Sequence, residues 1–136
     1  MIEMELYEIR IDETHWHQPQ VIILKEKSGN RILQIVIGLF EAQSIYIKIK
    51  NLPTLRPYSH DLLADLLSQL GGRLDRILID DLKEETFYAK LFVDTRQGKQ
   101  LIIDSRPSDA IALALRSDAP IYVEEKVLEQ IEMSEE

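Results

Sequence analysis

The stretch Asp104-Ser105-Arg106-Pro107-Ser108-Asp109 leaves the backbone few choices. An apolar run, Leu101-Ile102-Ile103, delivers the chain to it as a strand, and the alanine-rich segment Ala110-Ile111-Ala112-Leu113-Ala114-Leu115 follows, closing on Arg116. Pro107 lacks a donor and has its φ fixed, so within a helix only the first turn tolerates it. A strand must therefore end and a helix begin here, which gathers Asp104, Ser105, Ser108 and Asp109 at the positive end of the helix. Ser105 is the expected cap, and Asp109 in the first turn contributes about 0.3–1 kcal/mol against the macrodipole. Capping alone leaves Arg106 and Asp104 unexplained.

The remaining chain supplies a setting for that turn. A length of 136 residues suits one well-buried core, so a single domain over 1–136 is expected, with its core at about 20–128 and an acidic, fraying tail at 132–136. The net charge of −8 provides no global field for a polyanion. A nucleic-acid partner would then need a local basic patch, a metal ion or an oligomer that concentrates positive charge. Without cysteine there is no disulfide, no thiolate metal site and no cysteine nucleophile. The acidic start Met1-Ile2-Glu3-Met4-Glu5 does not have a signal-peptide layout, and no apolar run reaches membrane-spanning length. The expectation is a cytoplasmic protein with no membrane partner.

Met4 to Ile11 alternates as a half-buried strand, and Gln20–Glu26 and Arg31–Ile37 form a hairpin about Lys27-Ser28-Gly29-Asn30. His15 and His17, with Trp16 between them, would share a face of an extended segment, but with no third ligand nearby they read as exposed loop histidines. Glu41 to Lys50 fits both a strand and a helix. Sliding the chain against itself by 68 residues resolves this, since Leu6 falls on Leu74, Ile9 on Ile77, Ile35 on Ile103 and Ala42 on Ala110, with Glu41 on Asp109 and Lys48 on Arg116. The shared order of elements points to a duplicated unit of strand, hairpin and helix, so Glu41 to Lys50 is read as helical. Between the units, Ser59 is the expected cap of a helix whose stripe of Leu62, Leu63, Leu66, Leu67 and Leu70 is assigned to the core. The second unit adds strands at Leu74–Ile79, Thr86–Asp94 and Lys99–Asp104, a short strand at Ile121–Val123, and a last turn or two from Glu125 to Ile131. The fold class is α+β, a curved, mostly antiparallel or mixed sheet with two to three helices.

Polar residues cluster at three helix starts: Glu41; His60 with Asp61; and Asp104, Arg106, Ser108 and Asp109. Carboxylates can hold a hard divalent cation, an arginine fork can take phosphate oxygens, and a histidine can move a proton, which together make the chemistry of phosphodiester hydrolysis. Each residue also has a plain structural role at a helix start. A Ser-His-Asp hydrolase would need a nucleophile elbow, and no Gly-x-Ser-x-Gly is present; Gly-rich phosphate loops are absent as well.

At these residues the chain resembles the bifunctional nuclease domain family. The resemblance rests on Ile37-Gly38 with Glu41-Ala42, Ser59-His60-Asp61-Leu62-Leu63, Asp81-Leu82 with Thr86-Phe87-Tyr88-Ala89, the Asp104 to Ala114 string, and Ala119-Pro120-Ile121-Tyr122-Val123. It implies hydrolysis of DNA and RNA, a homodimer or larger homo-oligomer, and a polar signature carried by the residues at the three helix starts. On that basis His60, Asp61, Asp104, Arg106 and Asp109 are the expected catalytic residues. Glu41, Ser108 and Arg116 are expected to bind substrate, and Asp104 with Asp109 to hold Mg²⁺ or Mn²⁺. The chain departs from the family's usual pattern where Ile45-Tyr46-Ile47-Lys48-Ile49-Lys50 replaces an alanine-leucine run. The rival reading is a non-enzymatic oligomeric scaffold or small-ligand binder, in which Asp104, Arg106 and Asp109 form a structural network.

Overall fold

The computed structural model describes residues 1–12 and 20–134, so His15 and His17 lie outside the described residues. The elements run β1 (Ile2–Arg10), β2 (Gln20–Glu26), β3 (Ile32–Ile37), α1 (Leu39–Lys50), α2 (Ser59–Gln69), β4 (Arg73–Lys83), β5 (Thr86–Asp94), β6 (Gln100–Ser105), α3 (Pro107–Ser117), β7 (Ile121–Val123) and α4 (Glu125–Ser134). The fold is α+β, as expected. Its strands form one mixed sheet in the order β3-β2-β1-β7-β4-β5-β6.

Each half is a three-stranded antiparallel meander that feeds a helix, β1-β2-β3 into α1 and β4-β5-β6 into α3. The segment read as ambiguous is indeed helix α1. The halves meet at β7, which arrives after α3 and pairs antiparallel with β1 and parallel with β4. β3 shows why these sequences make strands: Leu33, Ile35 and Ile37 turn inward while Ile32, Gln34 and Val36 face solvent. The β4–β5 hairpin carries a turn that the sequence did not announce. Lys83 pairs with Thr86, and the two residues between them, Glu84 and Glu85, both have positive φ (49° and 66°), the backbone of a two-residue primed turn usually given to Asn-Gly.

At the centre lies α3. Ala110, Ile111, Ala112, Leu113 and Ala114 are all buried, because the helix packs on β4 and β5 and is flanked by α1 and α2. A helix apolar on every side belongs inside, and its alanines permit neighbours to approach closely. No helix among the described residues is long and apolar enough to cross a membrane.

The structure corrects four expectations. Among the described residues there are four helices rather than two to three, because α4 is a full helix of 10 residues. Its Val127 and Leu128 are buried, and Arg31 binds Glu125 at its start through bonds of 2.6 and 3.0 Å. Ser59 does not cap α2; Tyr58 holds that position, and its N–H donates to the Asp61 carboxylate at 2.9 Å. Nor does Ser105 cap α3; Arg106 stands there with Pro107 at the first helical position, and the Ser105 hydroxyl donates to the Arg106 carbonyl at 2.9 Å. The largest difference concerns the leucines. Leu62, Leu63, Leu66 and Leu70 are exposed, and α2 instead turns its narrower face inward, with His60 buried and Ala64 and Leu67 against the core.

Candidate active site at the starts of three helices

Three helices bring their first turns together. Residues on α1 supply Glu41 and Ser44, α2 supplies His60 and Asp61, and the start of α3 supplies Arg106 and Asp109. Arg106 occupies the cap position of α3, so its side chain leaves the helix start and reaches both Asp109 and the neighbouring α1. Its Nε donates to Asp109 Oδ2 at 2.7 Å and its Nη2 to Asp109 Oδ1 at 3.1 Å. The same Nη2 lies 3.3 Å from Glu41 Oε1. One guanidinium thus bridges two carboxylates from two helices.

The network continues inward from Asp109. His60 Nε2 lies 2.8 Å from Asp109 Oδ1, and His60 Nδ1 lies 2.7 Å from Ser44 Oγ. An ionised carboxylate can only accept, so Nε2 carries a proton. The neutral ring then takes its second bond from the Ser44 hydroxyl, while an imidazolium donates to that same oxygen. Behind Ser44 stands Arg116, whose Nη2 donates to Ser44 Oγ and to the Ser44 carbonyl, both at 3.1 Å. Arg116 Nε donates to Asp61 Oδ1 at 2.6 Å, and Nη1 donates to the Ala112 carbonyl at 3.2 Å.

The electrostatics follow from these bonds. Burial pushes the Asp109 carboxyl up, but the hydrogen bonds from Arg106 and His60 outweigh it and hold the group below the usual carboxylate range. The Asp109 bond and charge in turn raise the Arg106 guanidinium. Asp61 is lowered as well, since the Arg116 bond and the Tyr58 N–H outweigh its desolvation.

These residues face a cleft of about 520 Å³ lined by Phe40, Glu41, Ser44, Tyr58, His60, Arg106 and Asp109 among others. A second groove of about 430 Å³, with Gly38, Phe87 and Ser108 in its wall, shares Glu41 and Arg106 with the first. The Glu41–Arg106 pair therefore stands on the divide between them. Glu41, His60, Arg106 and Asp109, expected from sequence, come together here. Asp61 and Arg116 sit one layer behind and line a separate pocket of about 460 Å³ with Lys48 and Arg56. Asp104 is not brought in: it extends from β6 to Lys90 at 3.2 Å, whose other partner is Asp80 at 3.4 Å. The buried arginine of the structural-network reading is also a different one, because the Arg106 side chain is 66% exposed while that of Arg116 is 4% exposed.

Sequence reasoning missed Ser44, Phe40 and Tyr58. The signal for Ser44 was its spacing, three residues after Glu41 and so on the same helical face. Among the described residues, no group of three or more His, Asp or Glu side chains is placed to hold a metal ion unaided.

Comparison with known proteins agrees with this arrangement. An uncharacterized protein of Mycobacterium tuberculosis is 43% identical over 126 residues, covering 90% of this chain and 74% of that protein. Bifunctional nuclease 2 of Oryza sativa subsp. japonica is 27% identical over 109 residues, 78% of this chain and 33% of the rice protein. Bifunctional nuclease 2 of Arabidopsis thaliana is 28% identical over 106 residues, 75% of this chain and 32% of its own length. The chain thus spans about a third of these plant relatives. The bifunctional nuclease domain model matches residues 22–136, taking in every residue of the cleft, and the chain belongs to the bifunctional nuclease domain family.

Proposed function

We propose that this protein is a phosphodiester hydrolase acting on nucleic acid, and that the cleft at the starts of α1, α2 and α3 is its active site. The observation that carries the reading is the continuous set Glu41, Arg106, Asp109, His60 and Ser44, drawn from three helices and open to one cleft. Arg106 is the phosphate ligand: its planar fork suits two non-bridging oxygens, and its exposure leaves it able to turn from Glu41 toward a substrate. His60 is the proton donor. As an imidazolium it releases the Nε2 proton to the leaving oxygen while Nδ1–H remains on Ser44 Oγ, so the ring stays oriented through the transfer. Asp109, held ionised, favours that charged ring before the transfer.

Asp104 and Asp109 do not form the carboxylate pair anticipated for a divalent ion, but Glu41 and Asp109 fit one, since a single cationic group already bridges them. Magnesium-type ions accept one or two carboxylates and complete their shell with water and phosphate oxygens. Bound between these two residues, Mg²⁺ or Mn²⁺ would supply positive charge to a phosphate that otherwise meets two anions.

The test is nicking of plasmid and degradation of RNA by purified protein, with and without Mg²⁺ or Mn²⁺. His60→Gln and Arg106→Ala should each lose about 10²-fold or more, whereas Asp104→Ala should retain activity. Full activity in the first two variants would remove the cleft from the reaction. A scaffold or ligand-binding role is the second reading, favoured by the resting pairing of Arg106 with both carboxylates. It predicts folded protein with no binding to DNA or RNA at any salt concentration.

A further inference from the structure

The core is closed on one side of the sheet and open on the other. At the β3 edge Leu33, Ile35 and Ile37 point inward and all are buried. At the β6 edge Leu101 and Ile103 lie opposite Val93 and Leu91, on the side of β5 that carries Ala89 and Val93 into the core, so they too point toward the helical layer. Yet they are 47% and 43% exposed, and Ile102 between them is 62% exposed. Helix α2 lies along this opening. Its start is tied to α3 by the 2.8 Å bond of His60 to Asp109, and its end abuts the β5–β6 turn, where a Cβ on Gly71 would stand 2.4 Å from Arg96 Nε. Its exposed Leu62, Leu66 and Leu70 repeat every fourth residue and form one stripe.

We propose that a second copy of this chain closes the opening. In this dimer β6 pairs antiparallel with its own mate about a twofold axis at Ile102, and the leucine stripes of the two α2 helices meet beside the joint. Self-pairing suits this strand. Centring on Ile102 sets Leu101 opposite Ile103 and the neutral Gln100 opposite Asp104, whereas centring on Asp104 would oppose two carboxylates. The contact is isologous and closed, so it satisfies the free edge of both strands and ends there. The patch holds no cation for a polyanion, and pairing through apolar residues keeps most of the −8 charge of each copy away from the joint.

The chain has no cysteine, which makes the test direct. Directly opposed residues of an antiparallel pair have Cα atoms about 4.5–5.5 Å apart, within the about 4.4–6.8 Å that a disulfide spans. Ile102→Cys in the full chain should therefore oxidise to a covalent dimer, while Val36→Cys on the exposed face of β3 should not. By sedimentation equilibrium the unaltered protein should have twice the 15.8 kDa chain mass, and Leu66→Glu or Ile103→Lys should return it to 15.8 kDa with an unchanged far-UV spectrum. If those two variants fail to fold, the cysteine pair decides alone. A monomeric unaltered protein would overturn the proposal. So would a dimer that crosslinks at residue 36 and not at residue 102.

Discussion

Replacing Arg116 with methionine separates the frame of the cleft from its working surface. Methionine fills much of the space occupied by this nearly buried side chain but restores none of its bonds. The bond to Asp61 is charge-assisted, worth about 1.5–3 kcal/mol when fully buried. Asp61 is 37% exposed and regains water, which reduces that contribution to about 1 kcal/mol. The Ser44 carbonyl and hydroxyl are buried, and each loses a donor at a cost of about 1 kcal/mol. The sum is about 3 kcal/mol, equivalent to a fall in melting temperature of about 10 °C for a domain of this size. Urea unfolding followed by far-UV circular dichroism at neutral pH measures it directly. A loss below about 1 kcal/mol would refute the reasoning, because it would mean that the polar bonds behind Ser44 merely replace water at no gain.

Arg106→Ala supplies the contrast: its side chain is two-thirds exposed, so stability should change by less than about 1 kcal/mol in the same experiment. Stability should also fall in acid. The Asp61 carboxyl is depressed by Arg116 and the Tyr58 N–H, so its contribution is complete above the unfolded carboxylate pKa of about 3.9 and is lost as pH falls through the lower folded value. Asp61→Asn should flatten that acid limb of the urea midpoint against pH, and an unchanged limb would assign the acid sensitivity elsewhere. At the β4–β5 turn, Glu84→Asn with Glu85→Gly should stabilise by about 1 kcal/mol, because two positive-φ positions cease to carry unsuited side chains. A lower melting temperature would show that the glutamates make contacts outweighing the backbone strain.

Much of the fold was legible because its signals are local. Alternating burial marked the strands, Pro107 fixed the start of α3, and the internal alignment at 68 residues identified α1 where periodicity could not. The leucines of α2 misled because helical amphipathicity says which residues share a face and is silent on which face is covered. Here α3 accepts only the narrow side bearing His60 and Ala64. The site divided in the same way. Glu41, His60, Arg106 and Asp109 announced themselves at helix starts, but the joining of Asp61 to Arg116 spans 55 residues of sequence and depends on how helices stack. Asp104 adjoins the same motif in sequence and leaves it in space, since it belongs to the strand rather than the helix and pairs with Lys90 across the sheet.

The three residues of β7 set a timetable for the molecule. Both meanders are assembled from near neighbours in sequence and can form as the polypeptide emerges during synthesis. The join between them waits for Ile121, Tyr122 and Val123, which reach back to Ile2, Glu3 and Met4 on one side and to Ile77, Leu78 and Ile79 on the other. Until those residues leave the ribosome, β1 and β4 each present an open edge. The nascent chain therefore passes most of its translation as two unjoined sheets, the stage at which it is most open to capture by chaperones or by another copy of itself.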